Sequence, residues 1–117
     1  MTLEQLYNEN YVLSDVELLS IHLENTNSTV AKIKISVKQQ LKKGKFKKCN
    51  ILINMTNIIE VIIYDNINIL GYYSDLTLIQ LENKNYYISF DPYGNTNQKH
   101  EEDNYVLISE SIEFIEI

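Results

Sequence analysis

The strict alternation of residues 29–38 constrains the fold of this chain more than any other feature. The apolar residues are Ala31, Ile33, Ile35 and Val37, and the polar residues between them are Lys32, Lys34, Ser36 and Lys38. A period of two is typical of a β-strand that has one face on a core and the other in solvent. The pattern therefore predicts a half-buried strand.

Other segments of strand length follow the same logic, and turn residues separate most of them. The predicted strands are residues 15–24, 29–38, 47–55, 58–64, 76–81, 86–90, 105–109 and 112–117. In the first strand the predicted core face is Leu19, Ile21 and Leu23. Val16 and Leu18 are out of phase with that face, which predicts a bulge at Leu18-Leu19. Glu82–Asn85 has hairpin-turn composition.

Only the start of the chain has helical character. Thr2 and Gln5 have the spacing of a capping box, and Leu3, Leu6 and Tyr7 fall on one helical face, which predicts a helix over residues 3–9. We therefore expect a mainly β protein with one short N-terminal helix. Residues 1–117 are predicted to form a single all-β domain, either a β-sandwich or a strongly curved antiparallel sheet.

Charge is divided unevenly along the chain. Residues 1–58 carry a net charge of +3 and residues 59–117 carry −9, which gives −6 overall. The eight lysines between Ser28 and Asn50 are accompanied by one aromatic residue, Phe46, and by no arginine. A surface that binds nucleic acid would combine basic residues with aromatic side chains and with arginines that make bidentate contacts. We therefore interpret the lysines as protection of a sheet edge.

No pattern in the chain indicates catalysis, a cofactor or a metal. His22 and His100 lack a second ligand at metal spacing. Cys49 shares a strand face with Ile51 and Ile53, so a buried thiol is expected. The three glycines form no phosphate-binding loop. These observations predict a protein that is not an enzyme.

Tyrosines accompany the acidic residues of the second half, and tyrosine is favoured at protein interfaces. The predicted contact lies on two loops, residues 72–75 and 91–103. Its predicted partner-binding residues are Tyr72, Tyr73, Asp75, Asp91, Tyr93, Glu101, Glu102 and Asp103. An acidic surface of this kind favours a basic protein partner.

Three segments resemble small bacterial immunity proteins: residues 13–24, the Tyr86–Tyr93 stretch YYISFDPY, and residues 102–108. In the first, Ser14 stands where those proteins have a histidine. The resemblance implies a β-rich protein that neutralises a cognate toxin of a contact-dependent inhibition or polymorphic-toxin system. It transfers no individual site residue.

The start of the chain has no signal-peptide pattern and no apolar run is long enough to span a membrane, so a cytoplasmic location and no membrane partner are expected. The single cysteine agrees with a reducing compartment. The alternative is a structural domain that forms a homodimer, the basic face of one copy docking on the acidic face of another.

Overall fold

The computed structural model describes residues 1–71 and 73–117, and of Tyr73 it describes the backbone. Within these residues the chain forms one α-helix, one 3₁₀ turn and seven strands. They are α1 (Leu3–Asn8), β1 (Tyr11–Asn25), β2 (Thr29–Gln40), the 3₁₀ turn (Lys42–Gly44), β3 (Phe46–Ile62), β4 (Tyr73–Ser74), β5 (Thr77–Gln80), β6 (Tyr86–Asp91) and β7 (Asn104–Glu116). The prediction of a mainly β fold with a short N-terminal helix is confirmed.

Helix α1 begins as its capping box predicts. The Gln5 amide donates to the Thr2 hydroxyl over 3.1 Å, and the Thr2 amide donates to Gln5 Oε1 over 2.8 Å. Leu6 is buried against the core. The helix ends one residue earlier than predicted, at Asn8, and Asn10 takes a left-handed conformation that turns the chain into β1.

All seven strands belong to one antiparallel sheet in the order β4-β1-β2-β3-β7-β6-β5. The two outermost strands are neighbours in the chain, because only Asp75 and Leu76 separate β4 from β5. The Leu76 amide also donates to the Leu13 carbonyl over 2.9 Å. The sheet is thus curved until its two margins meet, which makes it the strongly curved alternative and not a sandwich of two sheets.

The inside of the curve holds the main core. Ala31, Ile33, Ile35 and Val37 are all buried, as their alternation predicts, and they pair across the strands with Met55, Ile53, Ile51 and Cys49. The bulge in β1 is also confirmed, since pairing jumps from Leu18–Ile35 to Ser20–Lys34. Leu19 is the extra residue and is exposed, and Leu23 is exposed as well, so the predicted core face was wrong at both; Ile21 is partly buried against the core. Val16 and Leu18 are buried instead.

Two pairs of predicted strands are each one continuous strand. β3 runs through residues 56–57 and β7 runs through residues 110–111. Asn57 takes a left-handed conformation, and Ile59 is an extra residue between the Ile58–Ser109 and Glu60–Ile108 pairs. The break in the apolar pattern was therefore caused by a bulge in the strand and not by a turn.

The outer face of the sheet also carries a small buried cluster, formed by Tyr87, Val106 and Ile108. Alternation correctly predicts that Tyr87 and Ile88 lie on opposite faces of the sheet. However, the outer face is not solvated here. It is covered by residues 92–103, whose Lys99 Nζ lies 5.8 Å from the centre of the Tyr87 ring.

The interpretation of the lysines as edge protection is wrong, because β2 is flanked by β1 and β3. Lys32, Lys34 and Lys38 project from β2 into solvent on the outer face, and Lys48 of β3 lies directly opposite Lys38. We call these four residues the lysine face.

Among the described residues, none of the helices has the length and apolar character needed to cross a membrane.

Candidate partner-binding surface

One buried carboxylate shapes the loop of residues 92–103. Asp103 is only 1% exposed, and three donors reach its oxygens. The Tyr87 hydroxyl donates to Oδ2 over 2.6 Å, the His100 amide donates to the same oxygen over 2.9 Å, and the Tyr93 amide donates to Oδ1 over 2.8 Å. These bonds tie both ends of the loop to the buried outer-face cluster.

The environment of the Tyr87–Asp103 pair also shifts the pKa of the Tyr87 phenol. Burial first, and then the hydrogen bond and the charge of Asp103, raise the pKa of the Tyr87 phenol above its ordinary value. The phenol therefore stays a neutral donor at physiological pH. A neutral donor is what a buried carboxylate without a basic partner needs.

The loop presents an aromatic platform beside two acids. The Tyr93 ring stacks on the His100 ring with centroids 4.2 Å apart, and Tyr93 remains 59% exposed. The Glu102 amide donates to His100 Nδ1 over 3.0 Å, which orients the imidazole. Glu101 and Glu102 are exposed at the tip of this turn.

Asp91 is held at the other end of the same loop by Asn104. The Asn104 amide group donates to Asp91 Oδ2 over 3.2 Å and to the Asp65 carbonyl over 2.7 Å. Its oxygen accepts from the backbone amides of Tyr64 and Asp65. The buried Asn104 side chain thus joins the segment that follows β3 to β6 and β7 and leaves Asp91 half-exposed.

The two predicted loops come together at a surface depression of about 430 Å³. It is lined by Asp15, Ser74, Asp75, Asp91, Pro92, Gly94 and Asn95. Asp75 is oriented by the Asp15 amide, which donates to its Oδ1 over 3.1 Å. Residues 60 positions apart in the chain therefore meet, and we call the depression with Tyr93, Glu101 and Glu102 the acidic surface.

The predicted residues are not all equivalent in this arrangement. Asp75, Asp91, Tyr93, Glu101 and Glu102 are half-exposed or exposed on the acidic surface. Asp103 is buried and positions the loop, so its carboxylate is not available for direct contact. Tyr72 lies outside the described residues, and Tyr73 is described by its backbone, which pairs with Glu17.

Three residues that shape this surface were missed. Asp15 was assigned only to a strand, and no local signal shows that its left-handed conformation turns it toward Asp75. Asn104 and Asn97 were assigned to a loop. Asn97 accepts from the Leu78 amide over 2.9 Å and donates to the Tyr7 hydroxyl over 3.0 Å. Asparagine is common in loops, so composition alone does not single out either residue.

Among the described residues, the candidate metal ligands are dispersed and the one thiol is buried. No three His, Cys, Asp or Glu side chains among them are grouped as metal ligands. Cys49 is buried as predicted, and burial is the main cause that raises the pKa of its thiol, which opposes thiolate formation. The acidic surface offers carboxylates, amides and an exposed ring.

Comparison of the chain with protein-family models, with curated proteins and with solved structures found no match in any of the three.

Proposed function

We propose that this chain is an immunity protein that binds a cognate toxin domain in the cytoplasm of the producing cell and neutralises it by covering an essential surface. The observation that carries the proposal is the convergence of the two acidic loops. Asp75 and Asp91 line one depression together with Asp15, and the exposed Tyr93 lies in the chain between the lining residues Pro92 and Gly94.

A basic partner suits this surface best. The chain has a net charge of −6 and the acidic residues are concentrated in its second half. Complementary charge accelerates association and rejects partners of the wrong sign. A nuclease toxin has a basic cleft for phosphates, so an acidic inhibitor would be attracted to the part of the toxin that needs blocking.

The arrangement also favours a rigid contact. The carboxylates of Asp75 and Asp91 already accept hydrogen bonds from the protein, and Tyr93 is stacked on His100. Preorganised side chains lose less conformational entropy when they bind. Tyr93 is the natural centre of the contact, because an aromatic ring surrounded by polar residues is a common hot spot.

The test uses the C-terminal domain of an exported protein encoded beside this chain. The double variant Glu101→Lys/Glu102→Lys changes exposed side chains on the acidic surface. We expect its association rate to fall by about tenfold or more at low salt, with a weaker salt dependence and loss of protection in a toxin-expressing cell. Surface plasmon resonance and a growth assay measure these effects.

The matched control is Glu82→Lys/Glu113→Lys. It changes the net charge equally, but Glu82 lies in the β5–β6 turn and Glu113 lies near the end of β7. The control should bind nearly as the parent does. Equal losses in both variants would show that total charge matters and that the acidic surface is not the contact. Failure of the toxin domain to bind the parent chain would reject the immunity function itself.

A further inference from the structure

Strand β1 has an open edge over its second half. On the edge of β1 that faces away from β2, the described part of β4 pairs only with Val16 and Glu17. Next to this pairing, the Gly71 amide donates to the Leu18 carbonyl. For residues 20–25 the described part of the chain supplies no strand on that side. Alternate amides and carbonyls of this segment are therefore free to pair with another strand.

Two other sheet margins are contacted by the protein itself. On β5, the Leu78 amide donates to Asn97 and the Leu78 carbonyl accepts from the Tyr7 hydroxyl over 2.6 Å. On the outer half of β7, Phe114 exchanges two hydrogen bonds with Met1. The open segment of β1 also has no lysine and no proline, which are the residues that commonly keep edges apart.

An apolar groove of about 470 Å³ lies beside this edge. Ile21 and Leu23 form one wall of the groove. Val61 of β3 and Ile63 just after β3 form another, and Leu70 of the following loop also lines it. None of the described residues that line the groove is charged, and Leu23 is 48% exposed. Clustered exposed apolar side chains next to an unpaired strand mark an interaction surface.

We propose that this edge pairs with the same edge of a second copy of the chain, to form a two-fold symmetric dimer with a continuous sheet. The segment is self-complementary. Antiparallel pairing about a two-fold axis at His22 keeps residues of the same face opposite each other, so Ile21 of one copy meets Leu23 of the other and Ser20 meets Glu24.

The local charge at this edge supports a second copy as the occupant. The open edge carries one acid, Glu24, which lies 3.0 Å from His22. Lys32 of β2 lies opposite His22, so the region is not acidic although the whole chain is. Two copies would therefore not repel each other locally. The short edge makes an interface at the small end of the usual range, so the dimer should dissociate on dilution.

Sedimentation velocity over a series of concentrations tests the proposal. The parent chain should show a reversible shift from 13.7 kDa to twice that mass, and this shift should persist at high salt, because backbone and apolar contacts carry it. Leu23→Lys puts a charge into the apolar seam, and we expect it to weaken self-association by about tenfold or more.

The matched control is Leu41→Lys. The exposed fraction of Leu41, 46%, is similar to that of Leu23. Leu41 lies before the 3₁₀ turn and away from the edge. It should dimerise like the parent. Three results would overturn the proposal: a parent chain that stays monomeric at every concentration, a dimer that Leu23→Lys leaves intact, or equal loss in both variants. A dimer that salt dissolves would also reject it, since docking of the lysine face on the acidic surface explains that behaviour.

The folded state of both variants is checked by circular dichroism and urea unfolding. The proposal is independent of toxin binding, because Glu101→Lys/Glu102→Lys should leave the dimer unchanged and Leu23→Lys should leave toxin affinity unchanged.

Discussion

At the scale of single residues, adjacent polar side chains hold the candidate surface in place. Asp103 gathers three donors from the loop and the sheet, and Asn104 joins the segment after β3 to β6 and β7. Both are buried. Their roles depend on partners that lie far away in the sequence, so the residue types alone could not reveal them. The sequence predicted that acids and tyrosines accumulate here but not which of them face solvent.

The Tyr87–Asp103 hydrogen bond should be worth a measurable part of the stability. Tyr87→Phe keeps the ring in its buried site and removes the donor, which leaves one buried carboxylate oxygen with fewer partners. We expect a loss of about 1–3 kcal/mol in the free energy of unfolding, measured by urea titration. Tyr64→Phe is the control. Tyr64 is 69% exposed, so a change within about 0.5 kcal/mol is expected.

Two buried phenols should also set the alkaline limit of the fold. Burial, followed by the charge of Glu116, raises the pKa of Tyr11 from 10.0 to about 12, and the pKa of Tyr87 is raised as well. A phenol whose pKa is higher in the folded state contributes stability that is complete below the unfolded pKa of 10.0 and is lost as pH rises towards the folded value. Urea midpoints should therefore fall as pH rises above about 10, and less steeply in Tyr11→Phe. Midpoints that stay level up to about pH 12 would contradict this.

At the scale of elements, period-two patterns predicted the strands and their buried faces wherever the ladder is regular. The first part of β3 follows the prediction, and β2 follows it except at Ser36, which was predicted to face solvent and is buried. The out-of-phase Val16 and Leu18 predicted the bulge in β1. Sequence patterns failed at the bulge near Ile59 in β3, because one extra residue reversed the phase and was taken for a break between two strands. They failed again at the outer face near Tyr87, because only the folded loop shows that this face is covered.

The bulge in β1 gives a direct test of register. Deleting Leu19 joins the Leu18–Ile35 and Ser20–Lys34 pairs into a regular ladder and leaves every inward side chain in place. We expect a folded protein with a loss of less than about 1 kcal/mol. Deleting Ile21 instead moves a polar residue opposite the buried Ile33, which should cost on the order of 2–5 kcal/mol. Urea unfolding compares the two, and equal losses would mean that the bulge does not set the register.

At the scale of the whole molecule, the sheet is closed by a link of two residues. β4 pairs with β1 and β5 pairs with β6, while Asp75 and Leu76 connect them. The sequence predicted curvature as one of two options and could not choose between them, since β4 has only two residues and leaves no periodic signal. The contacts that close the sheet join residues far apart in the chain, so we expect closure to be a late step in folding.

Circular permutation tests the importance of the link. The Met1 amine donates to the Phe114 carbonyl over 2.6 Å, so a short glycine-serine linker can join the ends of the chain. New ends in the Glu82–Asn85 turn should be tolerated. New ends between Asp75 and Leu76 cut the link and should cost on the order of 2 kcal/mol more. Both permutants lose the same amine bond, so their difference in urea unfolding isolates the link, and no difference would show that the margins hold without it.

The link has a consequence for any partner that binds the acidic surface. Asp75 belongs to the link, and Asp15 and Asp91 lie on the strands that it brings together. The proposed toxin partner, bound across these carboxylates, would hold the two margins of the sheet together. If the proposed function holds, the contacts that recognise the toxin would also oppose unfolding, so the free protein would unfold more readily than the complex.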